Sequence, residues 1–148
     1  MPDRSGGQPS EMAFQYATLR VVPDVERGER LNAGVVLLCR PARFLDARIE
    51  LHEELLSRLA PTLEVGPIRA LLALVPRLCA GDPTAGPIAG LELAERFHWI
   101  VAPSSTVVQP SAVHTGVTID PAATLESLQR RLVARPDPRP SASGATER

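Results

Sequence analysis

The sequence predicts a single α+β domain, a mostly antiparallel sheet with helices packed on one face. Three observations predict it. Residues 13–22 and 33–39 are apolar, β-like runs on either side of a charged loop. Residues 53–80 then switch to a three-and-four apolar spacing, and a second group of short β-like runs precedes a closing stretch with a helical apolar stripe. Strands, then helices, then strands and a final helix are the order of an α+β layer rather than of repeated βαβ units.

Each element has a local reason. Residues 13–22 begin with aromatic and β-branched side chains and end at Pro23, where a ladder would need an N–H. Residues 33–39 are nearly all apolar, as in a central strand buried on both faces. Between them, residues 23–32 form a polar loop longer than a tight hairpin requires, and such loops on rigid strands often carry binding residues. Residues 44–51 alternate apolar with Asp46, Arg48 and Glu50, which predicts a strand with one wet face.

The helical part comes next. Residues 53–60 form a short helix ended by Pro61. Residues 64–80 place Val65, Ile68, Leu71, Leu72, Val75, Leu78 and Cys79 at helical spacing, with Gly81 as C-cap. Ile68, Leu71, Leu72 and Val75 are expected in the core, and Pro76 is expected to kink the helix or shorten its last turn. A Pro/Gly connector over 82–90 leads to a short helical piece, 91–96, and then to expected strands at 97–102, 106–109 and 114–119. Asp120 followed by Pro121 opens the closing helix, with Leu125, Leu128 and Leu132 as its stripe.

Composition bounds the rest. In 148 residues, 44% hydrophobic and 22% charged, there is room for one domain with a real core. Residues 1–10 and 134–148 are rich in Pro, Gly and Ser with no apolar face, so they are expected to be disordered arms around a folded unit of residues 11–133. A net charge of −1 lacks the general footprint of a nucleic-acid binder, and 3% aromatic residues leave too few rings for a base-stacking platform. All the basic residues are Arg, which reads as the codon bias of a GC-rich bacterium and excludes a lysine Schiff base or a phosphate-loop lysine. Cys39 and Cys79 each end an apolar run and are expected to be buried thiols rather than a disulfide or zinc ligands. His52, His98 and His114 lack metal-ligand spacing, so neither metal nor cofactor is expected. Without a signal-like or membrane-spanning segment, the expected location is the cytoplasm.

Two polar sets are candidates for function. The first is Arg20, Asp24, Arg27, Glu29 and Asn32, able to grip a charged ligand or a partner's ion-pairing surface. Its structural alternative is that Arg27 pairs with Glu29 to hold the loop while Asn32 caps a turn. The second set is Arg96, Ser104, Ser105, Thr106, Ser111 and His114, whose hydroxyls and guanidinium suit an anion. Serines satisfying turn backbone are the alternative there, and no Gly-x-Ser-x-Gly elbow supports a Ser/His/Asp triad. The two sets are expected to be neighbours in the fold, with Glu29 within side-chain reach of Arg96 or His114.

The stretches YATLRVVPDVERGERLNAGVVL and RFHWIVAPSSTVVQPSAVHTG resemble the bacterial family known as domain of unknown function 3037, over residues 14–133. Proteins of this kind are encoded beside kinases resembling the HipA toxin, so the resemblance implies a partner or accessory role. The expected function is a non-catalytic interaction module, with a HipA-like kinase as its partner. The alternative is a small phosphate-ligand or nucleic-acid binding domain or enzyme, with Arg20, Arg27, Arg96, Ser105 and His114 as one pocket.

Overall fold

The structure is a computed structural model that describes residues 10–104 and 106–136. Ser105, nearly all of the expected N-terminal arm and most of the expected C-terminal tail lie outside the described residues.

Five strands, β1 (Met12–Val21), β2 (Leu31–Cys39), β3 (Phe44–Ile49), β4 (Val108–Pro110) and β5 (His114–Thr118), form one antiparallel sheet. The order is β3-β2-β1, and β4 and β5 share the far side of β1, β4 against its end and β5 against its beginning. The α+β class with an antiparallel sheet is therefore the architecture seen.

The helices are α1 (Glu53–Leu59), α2 (Val65–Ala80), α3 (Leu93–Ile100) and α4 (Pro121–Leu132). The expectation that all helices share one face is corrected. Leu56 of α1, Ile68, Leu72 and Cys79 of α2 and Phe97 of α3 pack on Ala17, Leu19, Val36 and Leu38. By contrast, Leu125 and Leu128 of α4, with Val133, pack on Phe14, Val35, Leu37 and Cys39 on the other face. The physical reason lies in β2: successive residues point to opposite sides, so an unbroken apolar run needs cover on both.

A bulge makes β2 more than a simple strand. Leu19 faces Gly34, yet Arg20 faces Asn32, so Ala33 is an extra residue on β2. Gly34, opposite Leu19, leaves room for Ile49: a Cβ there would lie 2.7 Å from Ile49 Cδ1 and 3.0 Å from the Arg48 carbonyl oxygen. The insertion resets the alternation of β2, keeping Leu31 and Ala33 in the α1–α3 core and turning Asn32 towards α4, where its amide donates to the Leu132 carbonyl at 3.0 Å. His52 Nε2 lies 2.8 Å from the Val133 carbonyl, and the Gln129 amide donates to Glu50, so the end of α4 is tied down from three positions.

Two other expectations change. Residues 97–102 are not a strand; α3 runs through Phe97, opened by a reciprocal cap between Glu92 and Glu95 and anchored by burial of the Phe97 ring. Leu71 is 46% exposed rather than in the core, because α2 turns Ile68 and Leu72 to the sheet and Leu71 sideways. Pro76 sits inside α2 without ending it, and the helix closes at Gly81 in the left-handed region (φ 72°).

Candidate functional site

The charged loop leaves the sheet at the end of β1, and its geometry is largely self-contained. Asp24 Oδ1 accepts from the Glu26 N–H at 3.0 Å, and the Gly28 N–H donates to the Asp24 carbonyl at 3.1 Å. Arg27 grips Glu29 with two hydrogen bonds, 3.1 and 2.9 Å, both side chains being exposed. That pairing holds the Glu29 carboxyl below its usual range. Asp24, Arg27 and Glu29 thus shape the loop, and Asn32 anchors α4 as described above.

The second set is dispersed. Arg96 donates to the Leu78 and Cys79 carbonyls at 3.1 and 2.8 Å and to the Leu91 carbonyl at 3.0 Å. These carbonyls lie at the end of α2, where the Leu78 carbonyl also accepts the Gly81 N–H, and in the following connector, so Arg96 works as a clasp between α2 and α3. Ser104 Oγ lies 2.8 Å from Thr106 Oγ1 and accepts from the Thr106 N–H, which makes a turn. His114 stacks on Tyr16, its pairing partner in β1, with ring centroids 5.1 Å apart.

Ser111 has the most constrained position. It lies between β4 and β5, is 6% exposed, and pairs with Thr18 in a ladder of its own. The Ser111 N–H donates to the Thr18 carbonyl at 2.8 Å, while the Thr18 N–H donates to Ser111 Oγ at 2.9 Å. Its hydroxyl stands in for a carbonyl at the break between the two strands and donates in turn to Ala112 O at 2.8 Å.

The two motif segments touch, though not through the residues expected. The Val22 N–H donates to the Val107 carbonyl at 2.7 Å, and the loop and β4 enclose a cleft of about 180 Å³ lined by Arg20, Val22, Val25, Gly28, Arg30, Gln109 and Pro110. Glu29, however, pairs with Arg27. Arg96 lies beyond the opposite end of β2, beside Arg40 and Arg43 in a cleft of about 500 Å³. The eight residue steps of β2 put those ends about 27 Å apart. That is too far for one pocket.

The surface also carries an apolar groove that residue-by-residue reading missed. Leu63, Pro67, Ile68, Leu71, Val107 and Val108 line a cleft of about 410 Å³, and Leu71 and Val108 continue into a second of about 320 Å³ with Leu74, Val75 and Trp99. Trp99 is 60% exposed. The signal was available in α2, whose apolar stripe (Leu71, Leu74, Val75 and Leu78 beside Ile68 and Leu72) is wider than one buried face requires.

Among the described residues no group of three or more His, Cys, Asp or Glu side chains is placed to hold a metal ion. Cys39 and Cys79 are free thiols, both buried, and burial pushes the Cys79 thiol up to about 12. No helix among the described residues is long and apolar enough to cross a membrane.

No curated protein and no solved structure matches the chain. The family described as "Protein of unknown function (DUF3037)" matches residues 16–133, a span that holds the charged loop, the bulged hairpin, the Arg96 clasp and the Ser111 ladder. The chain belongs to the DUF3037 family.

Proposed function

We propose that the protein is a non-catalytic docking module of the cytoplasm that binds an extended, apolar segment of a protein partner along the free side of β4. The observation that carries the proposal is the groove, in which Leu71 and Trp99 stand exposed on walls that lead down to Leu19 and Ile68 of the core. Its two clefts share Leu71, Thr106 and Val108, so neighbouring side chains of one extended segment have adjacent seats beside β4. The chain's own ends are poor occupants, because residues 1–10 and 134–148 hold almost no large apolar side chains. Two buried thiols suit a reducing compartment.

The family resemblance makes a HipA-like kinase the first partner to test. Titration calorimetry with such a purified kinase is expected to give a saturable complex. Leu71→Asp and Trp99→Ala each should weaken it at least about tenfold, in line with loss of a buried apolar anchor. An absence of binding, or binding that ignores both substitutions, rejects this reading, as does self-association of the chain through the same groove. The alternative, one pocket of Arg20, Arg27, Arg96, Ser105 and His114 serving a phosphate ligand, nucleic acid or enzymatic reaction, loses its support from the separation of Arg96 and the loop.

A further inference from the structure

The cleft at the end of β1 differs from the docking groove in chemistry and owes nothing to it. From its geometry we infer that it is a site for a tetrahedral dianion, a phosphate group held between Arg20 and Arg30.

Four observations carry this. First, Arg20 Nε is buried and has no hydrogen-bond partner among the described residues. An unsatisfied donor of this kind calls for an acceptor, since buried polar groups are almost always paired. Second, Arg20 and Arg30 line the same cleft and neither forms an ion pair among the described residues. Of the loop's carboxylates, Glu29 is committed to Arg27 and Asp24 Oδ1 to a turn N–H, while Glu26 is exposed and reaches neither guanidinium as an ion pair among the described residues. Third, the two guanidinium groups repel one another: the Arg20 pKa is lowered, first by burial and then by Arg30. A ligand with two negative charges neutralises both guanidinium groups, whereas a monoanion leaves the cleft with one net positive charge.

Size is the fourth argument. At about 180 Å³ the cleft is smaller than the 300–1,000 Å³ typical of small-molecule pockets, yet sufficient for one phosphate. Guanidinium forks match phosphate oxygens with paired donors, which a lysine could not do. Gln109, whose Nε2 donates to the Thr106 carbonyl, fixes the wall facing the loop.

The test uses the full chain and inorganic phosphate, with chloride at matched ionic strength as reference and acetate as the monoanion. Phosphate should raise the melting temperature in a saturable way and shift the backbone amides of Gly28 and Gln109, and acetate should do neither. Arg20→Gln and Arg30→Gln should each weaken phosphate at least about tenfold, as expected for loss of a charged hydrogen bond, while Arg27→Gln leaves the affinity unchanged. Without phosphate, Arg30→Gln should not lower the melting temperature, because it relieves repulsion. Glycerol 2-phosphate binding more tightly than inorganic phosphate would assign an organic phosphate ester as the ligand, and equal or weaker binding the free ion. The inference is overturned if chloride reproduces the stabilisation, if acetate equals phosphate, or if Arg27→Gln is as damaging as Arg30→Gln. Should Arg20→Gln fail to fold, the amide shifts and the Arg30→Gln variant still decide.

Discussion

Replacing Ser111 by Ala separates a structural serine from a chemical one. In the native structure Ser111 Oγ is the acceptor for the Thr18 N–H, and both residues are 6% exposed. Removing the hydroxyl leaves that N–H buried without a partner. The space vacated by one oxygen is well short of the ~30 Å³ share of a water molecule, so solvent cannot take its place. An orphaned donor costs about 1–3 kcal/mol. Chemical denaturation should therefore show Ser111→Ala destabilised by about 1–3 kcal/mol with an unchanged m-value, and the Thr18 amide should exchange faster with solvent. Thr106→Ala, in an exposed turn, is the control and should cost less than about 0.5 kcal/mol. A loss at Ser111 below about 0.5 kcal/mol, with the Thr18 amide still protected, would refute the reasoning and free Ser111 for another role.

Leu72→Ala should cost about 2–5 kcal/mol, since Leu72 is 1% exposed, while Leu71→Ala on the next position should cost less than about 1 kcal/mol; equal losses in denaturation would contradict the assigned orientation of α2. Cys79 should resist alkylation in the native state at neutral pH, because burial pushes its thiol up to about 12, above the ordinary value of 9.0. The folded state then holds a proton that the unfolded state releases, so this group's stabilising share is full below pH 9.0 and falls as pH rises towards about 12, at about 1.4 kcal/mol per pH unit. Cys79→Ala should flatten that alkaline decline, and an unchanged slope would count against it. Glu29→Gln and Arg96→Gln should be additive within about 0.5 kcal/mol in a double-mutant cycle, given their places at opposite ends of the sheet; a larger coupling would contradict that separation.

Most of the fold was legible because local rules and global packing agree. Pro23, Pro61, Gly81 and Asp120-Pro121 mark real element ends, and the alternation of residues 44–49 marks a strand with a wet face. The miss at α3 has a local cause: Phe97, Trp99, Ile100 and Val101 favour strands one by one, while the Glu92–Glu95 cap and the spacing from Leu93 to Phe97 decide for a helix. The one-face assignment failed although the cue was present, since a strand apolar at every position already requires two covering layers. The candidate site was legible only in part. Charge in a loop is visible in a sequence, but whether a guanidinium clasps carbonyls, as Arg96 does, or keeps a buried Nε without a partner among the described residues, as Arg20 does, depends on contacts far away in the chain.

The place of β1 in the sheet sets the order in which the chain can fold. One flank of β1 pairs with β2, the next strand in the chain, but its other flank waits for β4 and β5, at residues 108–118. During synthesis β1, β2 and β3 with α1 to α3 can gather one core while the other flank of β1 and the α4 face of β2 stay open. At the ~5–20 residues per second of translation, the 79 residues from Cys39 to Thr118 leave roughly 4–16 s of exposure. Phe14, Tyr16, Val35 and Leu37 are the side chains left facing water in that interval. The nascent protein is therefore most vulnerable to misassociation through its first strand, and a truncation before residue 108 preserves that state permanently.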